Sequence, residues 1–310
     1  ANIKNKQELL NILSKKTLLS DGAMGTSLQA IGYKGASDLL MLRSEVPDLI
    51  TEIHLNYIKA GSDIIQTNTF GANYLKLKQS GHESDINFIN KKAIEVARKA
   101  IEIFKTQSND DKERKNKNIY IAGNLGPSGE LLKPYGDVEY GTVVDSFLKQ
   151  AEILINSGCD LILIETMMDL NEAIAAVEAT RKISNEILVA CSLSFKENGV
   201  TIMGNKAEDF GKKLLEAGCD VIGANCSVGS DSMISITEKI RNANPAGYLL
   251  IQPNAGLPKF IDGKTVYSES PENMAENFKK ILAFKPAIIG ACCGSTPKHI
   301  KKIAELLYSN

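Results

Sequence analysis

The sequence predicts an α/β protein, a (β/α)8 barrel built as a single domain over residues 1–310. Three observations carry that expectation. Eight short apolar stretches, each followed by a helical pattern, are spread over the 310 residues, and such alternation builds a parallel sheet with helices outside it. One phrase recurs where helices give way to strands: AGSDIIQTN from Ala60, SGCDLILIE from Ser157 and AGCDVIGAN from Ala217. Each reads as a helix ending on Gly at its C′ position with a buried strand directly behind. Finally, the first strand is not followed by the Gly-x-Gly-x-x-Gly turn that would favour the competing architecture, an open doubly wound sheet.

In chain order, strands are expected at 17–20, 64–67, 119–123, 161–165, 187–192, 221–225, 249–253 and 287–291. Each is a short apolar run of strand length. Between the first two, Pro47 sits where a first helical turn tolerates proline, and Ile50, Ile53, Tyr57 and Ile58 follow on one face. Further helices are expected at 87–104, 141–156, 172–183, 207–217 and 271–283. The mixed-charge run TQSNDDKERKNKN, Thr106 to Asn118, reads as a solvated loop on the face away from a barrel active site. No Pro- or Gly-rich linker cuts the chain in two.

Bulk properties narrow the function. A formal net charge of −1 argues against a dedicated nucleic-acid or anionic-membrane surface. The opening ANIKNKQELLNILSKK is polar and amphipathic and lacks the apolar core of a secretory signal. No apolar run approaches the roughly 20 residues that span a bilayer. A soluble, cytoplasmic protein is expected, with its six cysteines, at 159, 191, 219, 226, 292 and 293, reduced.

In a barrel the chemistry lies just after each strand. Those positions read SDGAMGT, QTNTFGAN, AGNLGPSG, IETMMD, CSLSF, GANCS, QPNAGLP and GACCGSTP. No lysine stands among them, which removes Schiff-base chemistry, and no histidine. His54, His82 and His299 fall in a helix, a loop and a first helical turn, as surface or packing residues. Three thiols do converge: Cys226 after the sixth strand, and Cys292 with Cys293 after the eighth. Catalytic zinc keeps three protein ligands and one open position, and thiolates suit it. Adjacent strand residues point to opposite faces, so both cysteines reach one ion only where the strand stops and turns, and Gly294 permits that turn. A helix follows, with Ser295 or Thr296 as cap and Pro297 in its first turn. By spacing alone, three buried cysteines remain an equal alternative. Cys159 and Cys219 precede their strands on the opposite face and read as structural; Cys191 reads as core packing.

Two acids stand at strand ends. Asp21 precedes GAMGT, a glycine-bracketed turn whose N–H groups suit a carboxylate, and Glu165 ends the fourth strand. Either could instead be a structural cap. An anion grip and an acidic grip beside a thiophilic metal describe a thiol-bearing amino acid. GNLGPSG reads either as an anion-binding turn or as a plain one.

DGAMGT, TNTFGAN, DLILIET, GANCS, PNAGLP and CCGSTP, in this order and spacing from Thr17 to about Leu307, resemble the homocysteine S-methyltransferase family. They look most like the homocysteine-binding module that opens cobalamin-dependent methionine synthases. The resemblance implies a barrel whose zinc is held by Cys226, Cys292 and Cys293, with homocysteine supplying a fourth sulfur. It implies that Asp21 and Glu165, with Asn225 and the amides around Gly22, Ala23 and Met24, hold the substrate. It further implies a methyl donor, methylcobalamin being expected, carried with folate on modules or proteins beyond this chain. A free-standing enzyme using S-methylmethionine or S-adenosylmethionine, and a homocysteine-binding module without transfer of its own, stay open. So does a reading from another class, a phosphate-binding barrel lyase with incidental cysteines. One departure is visible: Ala291 stands where the family usually shows a second Gly.

Overall fold

A computed structural model describes residues 6–107, 116–261 and 264–308. The chain runs α1 (Lys6–Leu13), β1 (Leu18–Leu19), α2 (Gly25–Ala30), α3 (Val46–Ala60), β2 (Ile64–Gln66), α4 (Tyr74–Gln79), α5 (Ile86–Gln107) and β3 (Tyr120–Leu125). It continues α6 (Tyr140–Asn156), β4 (Leu161–Met167), α7 (Leu170–Ile183), β5 (Leu188–Leu193), α8 (Phe210–Glu216), β6 (Val221–Gly229) and α9 (Ser230–Ala243). The last elements are β7 (Tyr248–Asn254), the hairpin β8 (Lys259–Ile261) and β9 (Lys264–Val266), α10 (Pro271–Leu282), β10 (Ile288–Ile289) and α11 (Pro297–Tyr308). Eight strands form one parallel sheet in the order β1-β10-β7-β6-β5-β4-β3-β2. A parallel bridge from Ser20 to Ile64 brings its two ends together. The expected (β/α)8 barrel is what the chain forms.

The recurring phrase has a structural reason. Gly61, Gly158 and Gly218 take φ of 123°, 90° and 102°, the backbone that ends each helix. The aspartate two residues on reaches sideways to the neighbouring strand: Leu19 N–H donates to Asp63 (3.0 Å), Ile121 N–H to Asp160 (2.8 Å) and Val189 N–H to Asp220 (2.9 Å). Each Asp staples one strand entry to the next.

Inside the barrel the lower layers are apolar, with Leu18, Ile64, Ala122, Leu163, Ala190, Val221, Leu250 and Ile288 among one buried cluster. Outward-facing residues such as Leu19, Ile65, Ile121, Ile162, Val189 and Ile251 pack in a second cluster with the helices. Side chains alternate along a strand, so the next inward position comes two residues later. There the interior changes character, to Ser20, Gln66, Asn124, Glu165, Ser192, Gln252 and the side-chain-free Gly290, while on β6 Gly223 comes first and the polar Asn225 two residues after it. This polar ring is the floor of the mouth.

Several expectations shift. Thr106 and Gln107 belong to α5, and most of the expected loop to Asn118 lies outside the described residues. The β8–β9 hairpin was not anticipated. His54 is fully buried in α3 with neither ring nitrogen partnered, and burial pulls its pKa to about 4. His82 sits beside Asp85 at 2.9 Å. Thr296 stands directly before α11, at one of the two expected cap positions, and the His299 ring reaches back to it, its Nδ1 accepting the Thr296 N–H at 3.2 Å. The GNLGPSG amides are used internally, Gly126 N–H by Phe70 O and Ser128 N–H by the Glu172 carboxylate, so this segment is a turn. Among the described residues no helix is long and apolar enough to cross a membrane.

Candidate metal and substrate site

Above the polar ring lies a cavity of about 210 Å³. Its walls include Asp21, Gly22, Ala23, Met24, Gln66, Asn124, Glu165, Cys226, Cys292 and Cys293. Residues predicted from four distant segments, Asp21 to Met24, Glu165, Cys226 and the Cys292–Cys293 pair, therefore face one space. Asn225 does not line it.

The sulfurs of Cys226, Cys292 and Cys293 all lie within 4.8 Å of one another, with Cys226 Sγ 4.0 Å from Cys293 Sγ. Tetrahedral geometry with Zn–S bonds of about 2.3 Å sets neighbouring sulfurs about 3.8 Å apart, so the donor set and its spacing fit zinc. Hydrogen bonds from the Cys226 and Cys292 thiols pull the Cys293 thiol down to about 3, while the same contacts and burial push Cys226 and Cys292 up, so the metal-free trio holds one negative charge on Cys293. Cys159, Cys191 and Cys219 are buried away from the cavity, as the strand reading required.

The chain distorts to bring these sulfurs together. Register breaks within β6 between Asn225 and Gly229, where Cys226 and Ser227 both take φ of 60°. Such bulges re-aim side chains, and backbone strain of this kind clusters at working sites. A matching irregularity in β4 falls between Ile164 and Met167, with Thr166 at φ 60° beside Glu165. On the eighth strand, β10 ends at Ile289 and Gly294 turns at φ 78°. A Cβ there would stand 2.2 Å from Tyr267 Cβ. The turn is tied down by Gly294 N–H to Thr26 Oγ1 (3.0 Å), Ala255 N–H to the Cys293 carbonyl (2.9 Å) and Ser295 Oγ to the Cys292 carbonyl (2.7 Å).

Asp21 and Glu165 are 2 % and 8 % exposed, and no cation pairs with either among the described residues. Burial pushes Asp21 up to about 8, with a smaller push from Glu165, and burial pushes Glu165 up to about 7. Asp21 Oδ2 accepts the Gln66 N–H at 2.9 Å. Glu165 Oε1 accepts from Asn124 Nδ2 at 2.7 Å and Oε2 from Asn225 Nδ2 at 3.3 Å. Asn225 also takes the Thr166 N–H (2.7 Å) and the Ser192 hydroxyl (2.7 Å), and its Nδ2 points toward Cys292 Sγ at 3.9 Å. It braces the acid, the strained turn and a thiol at once. One predicted donor is lost: Ala23 N–H is committed to Ser295 Oγ at 3.0 Å, which leaves Gly22 and Met24 at that turn.

The homocysteine S-methyltransferase profile matches residues 18–307. The chain belongs to the homocysteine S-methyltransferase family. It is 31% identical over 312 aligned residues to the methionine synthase of Mycobacterium tuberculosis and 30% identical to that of Mycobacterium leprae. In both cases the match takes in 96% of this chain and 25% of the relative, so the chain spans about a quarter of the length of these proteins. The crystal structure of the homocysteine methyltransferase MmuM from Escherichia coli, metallated form, superposes with a TM-score of 0.79 at 23% identity, covering 96% of this chain and 99% of that one. Its apo form gives 0.72 at 24% identity. These two likenesses speak for the fold.

Within this homocysteine S-methyltransferase barrel, Gln66 and Asn124 were missed from sequence, although both line the cavity. The signal that would have found them is positional: a polar residue two places beyond the last inward apolar one on a barrel strand.

Proposed function

We propose that the chain is a zinc-dependent homocysteine S-methyltransferase that forms methionine. What carries the reading is the meeting, in one cavity, of three sulfurs at ligand spacing with two buried carboxylates that have no cationic partner. Cys226, Cys292 and Cys293 hold the metal and leave one position for substrate. Zinc bound there supplies the charge that deprotonates a substrate thiol near neutral pH and keeps its sulfur nucleophilic. Asp21 and Glu165 receive the ammonium group, and the Gly22 and Met24 amides receive the carboxylate. Asn225 keeps Glu165 and Cys292 in register, so that amino acid and sulfur are held at fixed separation. The oriented sulfur attacks the donor's methyl group in line: the S–CH3 bond forms as the donor–CH3 bond breaks, that bond's electron pair leaves with the donor, and the neutral thioether product binds the site less well.

The quarter-length match to methionine synthases favours methylcobalamin presented at the mouth by a separate module.

The test is a donor panel on the zinc-loaded chain with homocysteine. Methionine should form with methylcobalamin, not with S-methylmethionine or S-adenosylmethionine, and Cys226→Ser should abolish it. Methionine from a sulfonium donor would reject the donor assignment. Homocysteine binding with no product from any donor would make the chain a binding module alone.

A further inference from the structure

Two turns above the barrel grip opposite ends of the substrate, and the sheet does not set the distance between them. The ladder of β1 and β10 pairs Leu18 with Ile288 and Leu19 with Ile289. Its last rung is the Ala291 N–H, which donates to the Asp21 carbonyl at 3.2 Å. Past that point the chains part into the turn at 22–24 and the turn at 292–294. Besides the bond from Gly294 N–H to Thr26 Oγ1, what joins them is a buried knot around one hydroxyl. Ser295 Oγ accepts the Ala23 N–H at 3.0 Å and donates to the Cys292 carbonyl at 2.7 Å. Tyr57, fully buried on α3, sets its own hydroxyl 2.8 Å from the Ala23 carbonyl and 3.3 Å from the Ser295 carbonyl. The space between them is full: a Cβ on Gly22 would stand 2.5 Å from Ser295 Oγ and 2.8 Å from Tyr57 Cε1.

A buried phenol needs some partner for its hydroxyl, and any buried carbonyl would serve. The two that Tyr57 meets belong one to each grip. Ala23 stands between the Gly22 and Met24 amides, and Ser295 is bonded to Cys292. Neither turn moves relative to the other without breaking a bond in the knot. We propose that Tyr57 and Ser295 are positioning residues that fix the separation between the carboxylate grip and the thiol grip, and that this separation selects homocysteine over cysteine, its homologue shorter by one methylene. The inference rests on the homocysteine reading above and adds how the site measures chain length. With the grips fixed, cysteine reaches only one of them. Loosened turns would close on the shorter ligand, while homocysteine would lose a site already shaped for it.

The test compares L-homocysteine with L-cysteine on the zinc-loaded chain by calorimetry, with zinc content checked after each titration. Tyr57→Phe removes one oxygen and keeps the ring, and the Ala23 carbonyl keeps a partner in Ser27 Oγ, which donates to it at 2.6 Å. The variant should weaken homocysteine about threefold to tenfold, the scale of one neutral hydrogen bond. Cysteine should stay within about twofold or bind more tightly, so the preference for the longer thiol shrinks. The zinc-edge spectrum of the substrate-free variant should still show three sulfurs. Ser295→Ala cuts the other half of the knot, should give the same pattern, and serves if the Tyr57 variant does not fold. Equal weakening of both amino acids, or a variant that loses a sulfur from zinc, would show a merely structural role and overturn the inference. The wild type tests the parent reading separately. No zinc-dependent homocysteine binding would overturn both; a wild type that binds homocysteine without preferring it to cysteine, or whose preference survives in both variants, overturns only the role of Tyr57 and Ser295.

Discussion

Asp21 shows how a single residue sets the tone of the site. Its carboxyl is buried, and burial lifts its pKa from 3.8 to about 8. Between those values the folded chain keeps a proton that the unfolded chain has released, so this group costs stability increasingly as pH rises through the window. An amide in its place carries no such cost. The stability advantage of Asp21→Asn over the wild type should therefore widen from pH 5 to pH 8 in paired thermal melts of the metal-free protein. A constant difference would mean that Asp21 ionises normally. The same variant should lose affinity for the amino acid, since the ammonium loses its charge partner. Residue identity was legible where chemistry is rare: Cys226, Cys292, Cys293, Asp21 and Glu165 stand out at strand ends. Asn124 and Gln66 did not, because an amide on a strand carries no chemical signature until its inward face and its neighbours are known. The bond from the Ala23 N–H was hidden for a related reason, since its Ser295 acceptor lies 272 residues away.

At the scale of elements, the parallel strands were readable from apolar runs, and their order followed from alternation. The ends were not. β4 and β6 run past their expected stops through irregular segments held by Asn225 and by residues at positive φ, contacts that no local pattern encodes. The β8–β9 hairpin escaped notice although the Asp262–Gly263 dipeptide is a turn signal of the right kind; it was absorbed into the link between a strand and a helix. The recurring Gly-x-Asp phrase, by contrast, announced helix ends correctly while hiding the purpose of its aspartate. That purpose is testable. Asp160→Ala leaves the Ile121 N–H without its 2.8 Å partner and should cost about 2 kcal/mol, the scale of a hydrogen bond to a charged group. Asp160→Asn, which still accepts, should recover most of it. Urea midpoints at constant slope measure the difference; equal loss in both variants would contradict the stapling role.

For the molecule as a whole, the barrel turns eight unremarkable strand ends into one site by geometry alone. Its lower interior is apolar, its next layer polar and hydrogen-bonded, and above that layer sulfur and carboxylate share one cavity of about 210 Å³. The family expectation drawn from six short motifs holds over residues 18–307. The chain spans about a quarter of the length of the methionine synthases it matches. The central claim is that three cysteine sulfurs hold one zinc with a place left for the substrate's sulfur. Zinc-edge X-ray absorption on the loaded chain tests it most directly. Three sulfur neighbours at about 2.3 Å, becoming four on adding homocysteine, is the predicted result; fewer than three, or a count that homocysteine leaves unchanged, would contradict it.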